Sequence, residues 1–538
     1  MTTRHDDEPP RMPISPESLA AMLNAGPNMV SALSRYAETF WIPFLLSAGY
    51  FRQAEAEKVP RAAGVENLAD YMALGRSNLE LVGRALNGAL KSWFGFQQMM
   101  APDAADAARR LFLNGDPEGM INQATRGATL MEVMARHYPD AVRAIEPEYG
   151  FHFERGGTSL KSAETDRFIL YQVLPTEPGV SVRKDGKPVL ILPPYVLGAN
   201  ILGFLPGEQR SYAHCFANQG VPTYIRILKD ISTTEALQVM TGEDDAMDTR
   251  LFCETLAARH GAAVTLNGYC QGGFSALSNL LSGVLDGLVD AFITCVAPMD
   301  GTRSKGLSDF LADLPQRFNH LDYGTKTLAN GNRVADGQLM GWVYKLKSIE
   351  EEFPVSAFLR DLMMIAAQKG PGVSISKTAA ALNYWLAYER FDLPLAITRM
   401  SFASFTTPIT ADGTLPVKLF DRPLNLHRLT EKKMPWLICY GLQDALVEPA
   451  SALAPLDFVD AEVSAFPKGH VAMATSWSHP KSACALHTRF GEALFRGPVR
   501  FHLDLEAAGK APAPAKKRRA SKAAAAARRK TPSGKNRK

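Results

Sequence analysis

Residues 264–276 read VTLNGYCQGGFSA. A short β-branched and apolar run ends in the pentapeptide GYCQG, and the residues that follow it are typical of a helix. Glycines two positions before and two positions after the cysteine suit a sharp strand-to-helix turn, because larger side chains there would collide with the neighbouring strand and helix. The stretch therefore predicts a strand, a strained turn that carries the thiol of Cys270, and a helix.

Seven short runs rich in β-branched and aromatic residues occur between residues 167 and 467, and several are continuously apolar, as strands buried on both faces are. They are RFILYQVL (167–174), VLILPPY (189–195), PTYIRIL (222–228), AAVTLNG (262–268), AFITCVAP (291–298), PWLICYG (435–441) and AEVSAFP (461–467). Helical segments separate most of them, which predicts a mostly parallel sheet covered on both faces. Together with the thiol-bearing turn, the pattern indicates an α/β fold of the α/β-hydrolase class.

The chain divides by pattern into three parts. Residues 1–150 show apolar positions at helical spacing and predict a helical N-terminal domain. Residues 151–505 carry the strands and predict the catalytic domain, in which the long interval of about 300–430 reads as an inserted cap. Residues 506–538 are low in complexity and rich in Ala, Lys and Arg, so we expect a disordered basic tail.

Composition excludes several classes of protein. The six cysteines form no CxxC pair and no His/Cys cluster at metal-ligand spacing, so neither a disulfide scaffold nor a zinc site is expected. The polar N-terminus has no signal-peptide pattern, and the aromatic stretch 40–51 is about half the roughly 20 residues that a membrane-spanning helix needs. We therefore expect a cytoplasmic protein without a transmembrane segment.

The charge is unevenly distributed. Of the 59 Lys and Arg residues, twelve lie in residues 510–538, where no acid occurs; the rest of the chain carries 47 basic against 55 acidic residues. Such a tail either serves as a solvated extension or binds DNA or another polyanion through release of counterions. The sequence leaves both interpretations open.

A nucleophile on this turn requires a base and an acid, and in α/β-hydrolases the order along the chain is nucleophile, acid, histidine. Asp444 and His470 occupy loops after the last two predicted strands, where open α/β sheets place their catalytic groups. We predict that Cys270, Asp444 and His470 form the triad. Asp300 is the alternative acid and His479 the alternative base.

Two backbone amides are candidates for an oxyanion hole. The amide of Gln271 lies at the start of the helix that follows the turn. The dipole of that helix also favours a thiolate at its N-terminus, where Cys270 lies. The loop after the strand 189–192 usually provides the second donor, which predicts Tyr195 or Val196 for this role.

Five motifs resemble the polyhydroxyalkanoate synthase family, over roughly residues 165–495. They are the cysteine box GYCQGG, the Pro-Pro loop ILPPY, the aromatic cap segment LNYWLAYERFDLP (382–394), the acid loop YGLQDALVEPAS and the base loop KGHVA. The cysteine box in its strand–turn–helix setting, with acid and histidine in order, is the most specific of these features.

The resemblance implies an acyltransferase that takes 3-hydroxyacyl groups from coenzyme A and joins them as a polyester such as poly-3-hydroxybutyrate. It implies that Cys270 is the acylated thiol, that His470 is its base, and that Asp444 assists activation of the incoming hydroxyl. The 3-hydroxyacyl-coenzyme A thioester is the substrate, and no further cofactor is expected. Storage granules with a polyester surface are the expected location. The sequence leaves the oligomeric state open, and a homodimer is one of the assemblies it allows.

A thiol suits acyl transfer because the enzyme thioester lies close in energy to the coenzyme A thioester that donates the group, whereas a serine ester would lie lower. The thiolate is also a strong nucleophile near neutral pH. Two alternatives share the same motifs: a cysteine-dependent polyester depolymerase or thioesterase, and a non-catalytic protein associated with storage granules.

Overall fold

The computed structural model describes residues 14–58, 65–154, 160–312, 314–368 and 375–476. The predicted basic tail, the alternative base His479 and Cys484 lie outside the described residues.

The N-terminal part is helical, as predicted. It consists of α1 (Pro16–Lys58), α2 (Val65–Asn114), α3 (Glu118–Glu132), a π-helical turn (Val133–His137), α4 (Tyr138–Ala144) and a 3₁₀ turn (Glu146–Glu148). The sequence pattern suggests that the first helix ends before Pro27. In the structure it continues through both Pro27 and Pro43. Each proline removes one backbone donor, and the packing of α1 against α3 offsets the lost hydrogen bonds.

The first six strands of the main sheet follow. They and their helices are β1 (Lys161–Glu164), β2 (Phe168–Val173), β3 (Val189–Leu192), α5 (Tyr212–Ala217), β4 (Thr223–Leu228), α6 (Glu235–Gln238), α7 (Gly242–His260), β5 (Val264–Tyr269), α8 (Gln271–Ser282) and β6 (Val289–Cys295). Every predicted strand in this region is present, and β1 is an additional short strand that the sequence pattern did not reveal.

A long insertion separates β6 from the next strand of the main sheet, and we call it the cap. It contains α9 (Lys305–Ala312), β7 (Thr325–Thr327), β8 (Arg333–Ala335), α10 (Gly337–Lys347), α11 (Ile349–Glu352), α12 (Pro354–Ala366), α13 (Lys377–Tyr388), β9 (Leu393–Pro394), α14 (Leu395–Thr406), β10 (Thr414–Leu419), β11 (Arg422–Asn425) and α15 (His427–Glu431). The insertion occupies the long interval of about 300–430 that the spacing of the predicted strands indicates.

The chain then returns to the main sheet through β12 (Trp436–Gly441), α16 (Pro449–Ala452), β13 (Glu462–Phe466) and α17 (Ala472–Ser476). The eight strands are ordered β1-β2-β4-β3-β5-β6-β12-β13. All neighbours from β4 to β13 are parallel, while β2 is antiparallel to β1 and β4. This mixed, mostly parallel sheet with helices on both faces is the α/β-hydrolase fold.

Apolar side chains cover both faces of the sheet. Leu190 and Leu266 belong to the cluster on one face, and Ile191 and Tyr269 belong to the cluster on the other. A third cluster joins the N-terminal helices to the cap, because α1 and α3 pack against α12. The N-terminal helices therefore contact the cap as well as one another.

Candidate active site

The strand β5 and the helix α8 meet at Cys270, whose backbone lies at φ 51° and ψ −123°. A positive φ is unfavourable for a residue with a side chain, so the turn is strained. A Cβ atom at Gly268 would lie 2.4 Å from the Cα of Gly273, and one at Gly272 would lie 2.2 Å from the carbonyl oxygen of Leu192. The two glycines of the pentapeptide are therefore required by close packing, as the sequence predicts.

The loops after β12 and β13 bring an acid to a histidine. The Nδ1 atom of His470 is 2.8 Å from Oδ2 of Asp444. The other carboxylate oxygen accepts hydrogen bonds from the backbone amides of Leu446 and Val447, at 2.9 Å each. Both oxygens of Asp444 are thus occupied, which fixes the carboxylate and directs it at His470.

The second ring nitrogen of His470, Nε2, is buried, and no described residue forms a normal hydrogen bond with it. Burial lowers the pKa of His470, but the charges of Asp444 and of a Cys270 thiolate outweigh this effect and raise the pKa to about 10. The structure therefore brings Cys270, Asp444 and His470 together. It leaves Nε2 available to exchange a proton with the thiol or with a substrate.

Close contacts position the loop that carries Asp444 and the loop that carries His470. The hydroxyl of Tyr269, the residue before the nucleophile, donates to the carbonyl oxygen of His470 at 3.0 Å. A Cβ atom at Gly441 would lie 2.6 Å from the carbonyl oxygen of Lys468, so the acid loop and the base loop approach each other at a glycine. These contacts connect the strand β5 directly to the histidine loop.

The alternative acid, Asp300, has a different role. Asp300 accepts a hydrogen bond from the amide of Thr302 at 3.2 Å and pairs with Arg303 at 3.2 Å. Its carboxylate thus caps the turn that leads into the cap, while Asp444 is the acid bonded to His470.

The predicted oxyanion region is partly filled by a side chain. The amide of Val196 donates to Oε1 of Gln271 at 3.3 Å, and Nε2 of Gln271 donates to Ser401 of α14 at 2.8 Å. Tyr195 lies in the same loop, and its buried hydroxyl donates to Asp245 at 2.7 Å. The Val196 amide could therefore reach a substrate oxygen only after the Gln271 side chain moves.

The cap closes over the site. Cys270 is 5% exposed, Asp444 3% and His470 8%. A cavity of about 40 Å³ beside the turn is lined by Gln271 and by cap residues that include Tyr344, whose pKa is raised by burial and by the nearby Cys270. That volume holds little more than a water molecule or two.

The side-chain role of Gln271 and the contributions of Ser401 and Tyr344 do not follow from the sequence. The sequence pattern indicates a role for the backbone amide of Gln271 only. The two cap residues lie in helices without a motif, and only the folding of the cap over the sheet brings them to the turn.

Within the described residues, no cluster of three or more His, Cys, Asp or Glu side chains is arranged to hold a metal ion. No helix in the same part of the chain is both long and apolar enough to cross a membrane.

No protein-family model matches the sequence, and no curated protein matches it significantly. Solved structures of similar fold include a carboxylesterase structure from Nitrososphaera gargenis (12% identity, 58% of this chain and 91% of that chain, TM-score 0.33). They also include the esterase domain of a Rhodothermus marinus protein (12%, 62% and 93%, TM-score 0.30) and a meta-cleavage product hydrolase from Pseudomonas fluorescens (13%, 61% and 92%, TM-score 0.30).

A thiol on a strained turn, next to a histidine that is oriented by a buried carboxylate, can perform nucleophilic acyl chemistry. The thiol can attack a carbonyl carbon, and Nε2 of His470 can accept and return the proton.

Proposed function

We propose that the chain is a cysteine acyltransferase that accepts a 3-hydroxyacyl group from coenzyme A and passes it to a hydroxyl acceptor, the end of a growing polyester. The observation that carries this proposal is the buried arrangement of Cys270 beside His470, whose Nδ1 is held by Asp444 at 2.8 Å.

In the first step the Cys270 thiolate attacks the thioester carbonyl carbon of the acyl-coenzyme A. The new bond joins the Cys270 sulfur to that carbon, and the bond from the carbon to the coenzyme A sulfur breaks. The leaving thiolate takes the proton held on Nε2 of His470. The products are an acyl-Cys270 thioester and free coenzyme A.

In the second step the acceptor hydroxyl gives its proton to Nε2 of His470 while its oxygen attacks the acyl-Cys270 carbon. The carbon–sulfur bond breaks, which regenerates the Cys270 thiolate and leaves an ester. Asp444 orients His470 in both steps, because Oδ1 accepts two backbone amides, which fix the carboxylate, and Oδ2 faces Nδ1 of His470. The alternative role is direct assistance to the incoming hydroxyl, which would have to reach the buried Oδ2 beside the His470 ring.

Burial favours transfer over hydrolysis. The three side chains are each less than a tenth exposed, and the cavity beside them is far smaller than an acyl-coenzyme A. The cap must move to admit the substrate, and a closed cap then excludes the water that would hydrolyse the thioester. Because the acceptor is a polyester, this function places the enzyme at the surface of cytoplasmic storage granules.

The test is to incubate the purified full-length protein with 3-hydroxybutyryl-coenzyme A and to measure both released coenzyme A and the fate of the acyl group. Acyl transfer yields coenzyme A together with oligomeric ester.

Cys270→Ala should abolish the release of coenzyme A, since no other group on the turn can accept the acyl chain. Cys270→Ser should retain only a small fraction of the wild-type rate of release. Cys439→Ser is the matched control, because Cys439 is also buried (1% exposed against 5% for Cys270) but lies within the strand β12 and not on the turn.

Other outcomes identify the alternatives. Release of coenzyme A with free 3-hydroxybutyrate as the main product would make the chain a thioesterase, and cleavage of preformed polyester would make it a depolymerase. No turnover of any acyl thioester by a folded protein would contradict the proposal and favour a non-catalytic granule protein.

A further inference from the structure

A buried carboxylate connects the two elements that carry the candidate oxyanion amides. Asp245 belongs to α7 and is 1% exposed. Its Oδ1 atom is 2.7 Å from a guanidinium nitrogen of Arg226, a residue of β4 that is also 1% exposed. Neither residue takes part in the two chemical steps described above, so this fully buried ion pair requires another explanation.

Two hydroxyl groups donate to the same carboxylate. The hydroxyl of Tyr195, in the loop after β3, donates to Oδ1 of Asp245 at 2.7 Å. The hydroxyl of Ser275 in α8 donates to Oδ2. Nδ2 of Asn279, about one helical turn further along α8, donates to the same oxygen at 2.8 Å. Asp245 therefore ties the loop after β3 to α8.

The residues that donate to Asp245 lie close in the chain to both candidate oxyanion donors. Tyr195 directly precedes Val196, whose amide is one candidate. Ser275 follows Gln271, whose amide is the other, by four residues, which is about one turn of helix. Because Tyr195 and Ser275 are held by one carboxylate, the distance between the two amides is fixed.

The contacts of Asp245 matter most when a substrate occupies the site. In the closed structure the Val196 amide donates to the side chain of Gln271, which links the two candidate donors directly. That link breaks when the Gln271 side chain moves to admit a substrate oxygen. The hydroxyl of Tyr195 still ties the loop to Asp245 in that state, because its hydrogen bond does not involve Gln271.

Stability alone does not account for the buried ion pair. Removing two charges from water costs much of what their attraction returns, and apolar residues of similar volume are often equally stabilising. Arg226 extends the network, since it also donates to the Tyr195 hydroxyl at 2.9 Å and to Thr249 at 2.7 Å. Buried hydrogen-bond networks of this kind are rigid, and rigid donors are what a preorganised oxyanion site requires.

From these observations we propose that Asp245 is a positioning residue, which holds the amides of Val196 and Gln271 at the separation that an oxyanion needs. The inference rests on the acyl chemistry proposed for Cys270, because addition of the thiol to a carbonyl carbon is the step that creates the oxyanion. Positioning of this kind lowers the barrier to reaction more than it strengthens substrate binding.

The test compares two reactions of the Cys270 thiol in the full-length protein. With 4-nitrophenyl acetate the sulfur adds to the carbonyl carbon, an oxyanion forms, and 4-nitrophenolate leaves as the carbon–oxygen bond breaks. With iodoacetamide the sulfur displaces iodide from a saturated carbon, and no oxyanion forms. Loss of positioning should therefore slow acylation and leave alkylation unchanged, whereas a general distortion of the site would slow both reactions.

Tyr195→Phe and Ser275→Ala each remove one hydroxyl from the network and keep Asp245 paired with Arg226. Each should slow the burst of 4-nitrophenolate about tenfold, which is part of the 10²–10³-fold loss that follows outright removal of an oxyanion donor. Alkylation of Cys270, measured by mass spectrometry of the labelled peptide, should stay at the wild-type rate. These variants are preferred to substitution of Asp245, which would leave the buried charge of Arg226 without a partner.

Each variant has a matched control. Tyr224→Phe removes a buried tyrosine hydroxyl that bonds to His260 at 2.9 Å. Ser278→Ala removes a buried serine hydroxyl that donates within α8 to the carbonyl oxygen of Phe274 at 2.9 Å. Both controls should keep the wild-type rate of acylation. The thermal midpoint of every protein shows whether a change in rate accompanies a loss of stability.

Three results would overturn the inference. They are acylation at the wild-type rate in both Tyr195→Phe and Ser275→Ala, equal slowing of acylation and alkylation in these variants, or equal slowing of acylation in the matched controls. A folded wild-type protein that gives no burst of 4-nitrophenolate would overturn it as well.

The proposed function fails on a different observation. A wild-type protein that gives the 4-nitrophenolate burst but releases no coenzyme A from 3-hydroxybutyryl-coenzyme A would contradict the proposed substrate. The comparison of acylation with alkylation in the same protein would still decide the role of Asp245.

Discussion

Cys270 is the position at which sequence and geometry agree most closely. Its positive φ, the contact of Gly272 with the Leu192 carbonyl and the start of α8 all follow from five consecutive residues. Local spacing dictates this geometry, which is why it could be predicted. The sequence favours Asp444 but does not exclude Asp300, because both follow strands and only the folded loops show which carboxylate bonds to the histidine.

The first prediction concerns the division of labour between Asp444 and His470. His470→Gln should slow acylation of Cys270 by a thioester analogue by about 10²–10⁴-fold, since it removes the ring that takes the proton of the Cys270 thiol and gives it to the leaving thiolate. Asp444→Asn should slow acylation and acyl transfer to the acceptor by similar factors, because the carboxylate acts through His470. Single-turnover kinetics of the two steps measure this. Intact acylation with slowed transfer would instead show that Asp444 serves the incoming hydroxyl.

The second prediction concerns pH. The pKa of His470 is raised from its ordinary value of 6.5 to about 10, so the folded state favours the protonated ring. The resulting stabilisation is fully present below pH 6.5 and is lost as the pH rises through about 10. The free energy of unfolding, measured by urea denaturation, should therefore fall across this window in the wild-type protein and less steeply in His470→Gln.

His214 provides the control for that experiment. Burial lowers the pKa of His214 to about 4, so its titration lies below the window and His214→Gln should keep the wild-type slope between pH 6.5 and 10. An equal slope in wild type and His470→Gln would contradict the assignment of the raised pKa to His470.

At the scale of elements, the apolar strands of the main sheet and the position of the cap were predictable, but the internal structure of the cap was not. All seven predicted strands are present, because strands buried on both faces require continuous apolar runs that stand out in a sequence. The described residues of the cap form two small sheets and seven α-helices, and these strands are two to six residues long. Such short strands carry little pattern, and their arrangement depends on contacts with residues far away in the chain.

The third prediction concerns the Gln271 side chain, which links the loop after β3 to α14 of the cap. Gln271→Ala removes both hydrogen bonds, each worth roughly 1 kcal/mol, and should raise the rate of Cys270 alkylation by iodoacetamide about tenfold. Mass spectrometry of the labelled peptide measures this. Ser401→Ala should give part of the effect, while Ser404→Ala, which loses only a bond within its own helix, should give none. Unchanged labelling in Gln271→Ala would show that these bonds do not hold the cap closed.

At the scale of the whole molecule, the sequence indicated a helical N-terminal part but not what it packs against. In the structure α1 and α3 pack on α12 of the cap, so residues more than 200 positions apart share one cluster. No local pattern encodes that partnership. The apolar faces are visible in the sequence, but their partners are chosen by the folded arrangement.

The fourth prediction concerns the basic tail, which lies outside the described residues and remains an expectation from the sequence. Truncation after Gly509 removes twelve positive charges and no acid, and should abolish binding to duplex DNA while coenzyme A release stays near the wild-type rate. For the full-length protein, log affinity should fall with log salt at about −0.9 per neutralised phosphate. Titrations at two salt concentrations measure both effects. Binding that is insensitive to salt, or unchanged by truncation, would contradict a polyanion-binding tail.

The packing of the N-terminal helices on the cap has a consequence for how the chain is made. The ring of Phe40 lies 5.7 Å from that of Phe353, its neighbour in the folded protein. At about 5–20 residues per second, a ribosome needs roughly 15–60 s to add the residues between them. During that time α1 emerges with an apolar face that its partner cannot yet cover. Nascent chains of this protein should therefore depend on chaperones that hold apolar helices, and interrupted synthesis should leave fragments that aggregate.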